Sequence, residues 1–165
     1  MLPSGNWNID SHLQSEKYFS HCIEMVRHYL TFKNEPRKND YVAVHFRAGD
    51  YIDDPNAYHP RQPMEYYEKA MALFPGRKFI VFTDDKEAAM CRIPKYDEIY
   101  SGNYLEDFKL MKSCHSFITA NSSYSLMAAI LANQPGKQIV CPSRWFGPSV
   151  GLETKDIYPA NSIVI

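Results

Sequence analysis

His45, Arg47 and Asp50 lie close together in the stretch Tyr41-Val42-Ala43-Val44-His45-Phe46-Arg47-Ala48-Gly49-Asp50-Tyr51. An imidazole, a guanidinium and a carboxylate can bind phosphate, move a proton and stabilise a leaving group. Their spacing gives two of them a common direction. Tyr41, Val42 and Val44 predict a buried strand over 41–47. Side chains alternate along a strand, so His45 and Arg47 point the same way. Gly49 then lets the backbone turn and approach a ligand. Taken alone, a basic residue at a strand end is more often an ion-pair partner, and a single histidine is more often structural. Two other segments change that balance.

Thr83-Asp84-Asp85 follows the apolar run Phe79-Ile80-Val81-Phe82, and Asn121-Ser122-Ser123 follows the run from Ser116 to Ala120. In a parallel sheet these strand ends share one edge, the edge on which open α/β sheets bind ligands. Three segments distant in sequence therefore converge. Ser122 and Ser123 open a helix, where hydroxyls, free N–H groups and the positive end of the helix dipole suit a phosphate. The plainer alternative is a serine that only caps the helix. Beside Arg47, the phosphate site is the better explanation.

Asp84 and Asp85 can pair on a metal, cap the following helix, or accept from a base or ribose. The metal is least favoured, because spacing fixes no further carboxylate or histidine nearby. Asp50, Asp53, Asp54 and His59, on the long polar loop 50–63, are candidate general bases. No Walker A, GxGxxG or GxSxG pattern occurs, so those phosphate and nucleophile devices are absent.

The elements that must position these residues follow in alternation. Asp10 or Ser11 can cap a helix running to about Phe32, with Phe19, Cys22, Ile23, Val26 and Leu30 as its apolar stripe. The strand 41–47 comes next, then the loop, then a helix over Met64–Phe74 stopped by Pro75-Gly76. After the Phe79–Phe82 strand come a short helix near 86–92, a weaker strand at 96–100, and a helix striped by Leu105, Phe108, Met111 and Cys114. The strand 116–120, the helix 123–132, the strand 138–141 and a last strand at 162–165 complete the chain. Repeated strand–helix units predict a parallel sheet with helices on both faces, a doubly wound Rossmann-like fold.

At 165 residues the chain makes one domain with a substantial core. A net charge of -1 argues against a nucleic-acid partner, which calls for a basic face. Cys22, Cys91, Cys114 and Cys141 form no CxxC pair and no zinc spacing, which predicts buried free thiols in a reducing compartment. No apolar run approaches a bilayer span, and residues 1–10 lack the basic start and apolar core of a secretory leader. The expectation is a soluble cytoplasmic protein.

The motifs together resemble the α-1,2-fucosyltransferases of glycosyltransferase family 11. The resemblance rests on Gln14–Phe19, His45–Tyr51, Phe82–Asp85, Asp107–Met111, Ala120–Ser125, Pro142–Phe146 and Ile163–Ile165, in matching order and spacing. It covers nearly the whole chain and corresponds to the C-terminal, donor-binding half of a GT-B enzyme. It implies transfer of fucose from GDP-fucose to a galactoside hydroxyl, with inversion and without a metal or other cofactor. Arg47 then sits on the diphosphate, His45 near the nucleotide, and Asp84 or Asp85 accepts from guanine or ribose. Asn121, Ser122, Ser123 and Tyr124 surround the phosphates. From the residues themselves, an acidic group near Asp50 to Asp54, with Asp50 the first candidate, is expected to act as base. The chain departs from the family at Ala48, where a second arginine is common. The resemblance also carries the expectation that the family's N-terminal domain is absent. That leaves two alternatives: a non-catalytic GDP-sugar-binding or scaffold domain, and a cleft completed by a second copy or another protein.

Overall fold

The computed structural model describes residues 14–165. Among these residues six strands form one sheet: β1 (Val42–Phe46), β2 (Phe79–Thr83), β3 (Glu98–Tyr100), β4 (Ser116–Ile118), β5 (Ile139–Cys141) and β6 (Ile163–Val164). Five α-helices accompany them: α1 (Ile23–Tyr29), α2 (Met64–Ala72), α3 (Lys86–Arg92), α4 (Tyr104–Ser113) and α5 (Ser123–Leu131). The strand order is β3-β2-β1-β4-β5-β6, and every neighbouring pair is parallel. This is the Rossmann-like, doubly wound arrangement. Its order reverses between β1 and β4, and that switch point opens a crevice at the strands' C-terminal ends.

The pleat sorts the core into two layers. Val42, Val44 and Phe46 face α2 and α3, where Tyr67, Ala70, Met71 and Ala89 meet them. Ala43, Ile80, Phe82 and Phe117 face α4 and α5, packing on Met111, Leu126, Ala129 and Ile130. β1 and β2 are buried along their whole length, as strands covered on both faces must be. Two buried tyrosines of α2 tie the layers together at the strand ends. The Tyr67 hydroxyl donates to the His45 carbonyl at 3.1 Å, and that of Tyr66 to the Thr119 carbonyl at 2.6 Å.

The long first helix is the main correction. The proposed cap at Asp10 or Ser11 lies outside the described residues. From Glu16 the chain makes two 3-10 turns, Glu16–Tyr18 and Ser20–Cys22, before the seven residues of α1. Phe19 (φ -135°, ψ 2°) and Cys22 (φ -129°, ψ 27°) leave helical geometry between them. None of these three segments contains a fully buried residue. An apolar stripe fixes a long helix only when a wall covers it, and this one is only half covered. The cysteines also divide: Cys114 and Cys141 are buried, Cys22 is partly covered, and Cys91 is exposed on α3. Among the described residues no helix is long and apolar enough to cross a membrane.

Candidate functional site

A cleft of about 420 Å³ opens at the switch point, within the range of small-ligand sites. Arg47 and His45 enter it from the end of β1, Asp84 from the end of β2, and Asn121, Ser122, Ser123 and Tyr124 from the turn into α5. The convergence expected from the strand ends is therefore present in space.

Arg47 is ion-paired on two sides. Its Nε and Nη2 donate to Asp50 Oδ1 at 3.0 and 2.8 Å, and its Nη1 lies 2.9 Å from Asp84 Oδ2. The guanidinium also stands 5.7 Å from the centre of the Tyr51 ring. Asp50 thus lines the cleft as the exposed partner of Arg47.

Asp84 is held more firmly. Its Oδ1 accepts from the Ala48 amide at 2.8 Å and its Oδ2 from the Gly49 amide at 3.0 Å. A Cβ at Gly49 would stand 2.6 Å from that same Oδ2, so the glycine is what permits the approach. Burial raises the Asp84 pKa, but the two amides and Arg47 outweigh it and hold the carboxyl below its ordinary 3.8. Asp84 therefore latches the end of β2 to the loop after β1. Both of its oxygens are engaged, which leaves little of it for a base or ribose. Asp85 points elsewhere: it caps α3, accepting from the Ala88 amide at 2.9 Å, and does not line the cleft. Adjacent residues leaving a strand face opposite ways, so one carboxylate enters the cleft and its neighbour caps the helix.

His45 is 5% exposed, and its ring lies 5.4 Å from that of Tyr124. Its Nδ1 is buried without a partner among the described residues. Desolvation lowers its pKa from 6.5 to about 4; the Arg47 charge adds to this, and Asp84 opposes it. The imidazole is thus neutral near pH 7.

The turn into α5 is built by Asn121. Its side-chain nitrogen donates to the Pro60 and Trp145 carbonyls, at 3.0 and 2.9 Å, while its backbone carbonyl accepts from the Tyr51 hydroxyl at 2.9 Å. Asn121 therefore staples three loops, and its Oδ1 is left buried without a partner among the described residues. Ser122 stands at the N-cap of α5, yet its side chain makes no capping hydrogen bond, and the first turn holds no acidic residue. The amides there remain available to an anion. The Tyr124 hydroxyl donates to the Tyr104 carbonyl at 2.5 Å, so its ring serves mainly as wall.

The wall also holds three residues to which the sequence motifs assign no site role. Asp107, in the first turn of α4, lines the cleft; burial raises its pKa above the ordinary 3.8, with a hydrogen bond from the Gly102 backbone opposing. Its only signal was its place in the 107–111 motif. Tyr51 stacks on His59 with centroids 5.0 Å apart and planes at 12°, and Trp145 also lines the cleft. The loop 50–63 is not free-running. Ile52 bridges Pro60, and Arg61 donates to the Ala48 and Tyr51 carbonyls while pairing with Asp53. Asp53 serves Arg61 and Arg92, and Asp54 caps the local turn at Asn56, so neither lines the cleft.

The fold and this edge define a Rossmann-like domain with a polar crevice at its switch point. The model of glycosyl transferase family 11 matches residues 7–158, and the chain belongs to that family. It is similar to two Escherichia coli proteins. One is the O-antigen biosynthesis glycosyltransferase WbnK, 36% identical over 117 residues, covering 64% of this chain and 39% of the relative. The other is an α-1,2-colitosyltransferase, 31% identical over 159 residues, covering 81% and 54%. The chain spans about half the length of the curated relatives it matches. Among solved structures, the β-Kdo 2,7 transferase KpsC of Thermosulfurimonas dismutans aligns over 94% of this chain and 50% of that one, with TM-score 0.47 and 18% identity. A family 9 glycosyl transferase from Veillonella parvula aligns over 96% and 41%, with TM-score 0.45 and 18% identity.

Proposed function

We propose that this chain is the donor-binding part of a fucosyltransferase, holding GDP-fucose for inverting transfer to a galactoside hydroxyl. One observation carries the reading. Arg47, at the end of β1, and the uncapped start of α5, after β4, face one cleft across the switch point. In that transfer the acceptor oxygen bonds to the anomeric carbon, and the carbon–oxygen bond to GDP breaks with its electron pair leaving on the diphosphate. Arg47 and the first amides of α5 stabilise that charge. Asp50 takes the acceptor's proton. His45, neutral, adds no charge at the nucleotide. No metal takes part in this proposal.

Calorimetric titration with GDP, GDP-fucose and UDP tests it. The two guanine ligands bind, UDP binds less well, and Arg47→Ala weakens GDP on the order of 10–100-fold, as the loss of a charge-assisted contact should. Equal binding by wild type and Arg47→Ala would sink the reading.

A second reading has its own support. Ala48, at the position where the resemblance expects another arginine, is fully buried in the core beside Phe46 and offers no cation. A domain that binds the nucleotide sugar without transferring it fits that loss. Incubating the purified chain with GDP-fucose and lactose separates the two, because robust transfer rejects the second.

A further inference from the structure

We propose that Asp50 occupies Arg47 while the cleft is empty and yields it to the donor's diphosphate. This rests on the donor-site reading above and adds an order of events to it.

The guanidinium has five N–H groups; two already donate to Asp50, and Nη1 is ion-paired with Asp84. Two carboxylates on one cation leave the loop with a local charge of about -1. A diphosphate arriving there meets net repulsion unless one carboxylate moves away. The two aspartates are unequal candidates. Asp84 is fastened by the Ala48 and Gly49 amides, and its side chain is 28% exposed. The side chain of Asp50 is 64% exposed, and its carboxylate has no hydrogen-bond partner other than Arg47 among the described residues. An exposed ion pair holds weakly, whereas a carboxylate bonded to backbone amides and a cation holds well. Asp50 is therefore the one that leaves.

Arg47 keeps its aim through the exchange, because Asp84 and the Tyr51 ring still hold it. The released carboxylate stays within the cleft wall, three residues along the chain. In the empty site its charge is spent on Arg47; in the loaded site it is free to accept the acceptor's proton. Donor binding thus both fills the site and uncovers the base.

The test compares two neutral, nearly isosteric variants on the same arginine. Asp50→Asn is expected to tighten GDP about 3–10-fold, leave guanosine unchanged, and lower the rate of any transfer. Asp84→Asn is expected to weaken GDP, because it releases the loop that aims Arg47; thermal midpoints identify any variant that fails to fold. Unchanged or weaker GDP binding by folded Asp50→Asn, with wild-type binding intact and weakened in Arg47→Ala, overturns the exchange and leaves the donor site standing. Equal tightening of GDP and guanosine also overturns it, since guanosine has no phosphate to gain. No GDP binding by the wild type removes the exchange together with the reading beneath it.

Discussion

The two ends of α5 are treated in opposite ways. At its C-terminus the Lys137 ammonium donates to the carbonyls of Ala129, Ile130 and Ala132, at 2.6, 3.3 and 2.6 Å, and Arg27 adds a bond to Ile130 at 3.2 Å. Two cations there satisfy the last carbonyls and complement the dipole. At its N-terminus Ser122 makes no side-chain cap and no carboxylate enters the first turn. Asp85 caps α3 and Asn103 caps α4, whereas α1 and α2, like α5, have no side-chain cap; α1 to α4 each carry an acidic residue in the first turn, and α5 carries none. One helix end is closed where stability is served, and the other is left open where the cleft lies.

Three experiments bear on that contrast, beginning with the largest effect. His45 packs on Tyr124 in the open end's first turn. Its pKa is about 4 when folded and 6.5 when unfolded, so the unfolded chain binds the extra proton between those values. Stability is full above pH 6.5 and falls as pH drops toward 4, by up to about 3 kcal/mol. Chemical denaturation across that window should show a shallower pH dependence for His45→Gln than for wild type; identical slopes would remove His45 as the cause.

Ser122→Asp asks whether the open end is reserved for an anion. A carboxylate at the N-cap should stabilise the fold by about 0.5–1 kcal/mol. The same charge should weaken GDP at least about tenfold by repulsion. A gain in stability with unchanged GDP affinity would break the contrast, because the open end would then have no ligand to serve.

The smallest effect is expected at the closed end. Lys137→Met leaves the carbonyls of the last turn without their shared cation, which should cost about 1 kcal/mol and lower Tm by roughly 2–4 °C. GDP affinity should stay the same. A matching loss of affinity would show that the two ends are coupled through the helix.

Much of the framework was legible in the chain. The apolar runs at 42–46 and 79–83 and the polar residues that end them locate both strands and the functional edge. The alternation that sends His45 and Arg47 to one face is a local property of any strand, and both do line the cleft. The leading segment departs from the expected long helix because an apolar stripe marks one face but says nothing of whether a wall exists to cover it. Asp84 and Asp85 were interchangeable in sequence, since each is a carboxylate after a strand. What separated them was an approach of Asp84 to backbone amides 35 and 36 residues away.

The sequence by itself determined the strand–helix alternation, the placing of His45, Arg47, Asp84 and Ser122 at strand ends, and the family. Periodicity and residue type are local, and they act through a few covalent neighbours. Only the tertiary structure decided which groups meet: Asp50 and Asp84 on Arg47, Asn121 across three loops, and Lys137 and Arg27 on the end of α5. Those pairings depend on the order in which the strands are laid side by side. Placing β1 beside β4 opens the crevice, and placing β2 on the other side of β1 brings Asp84 to Arg47.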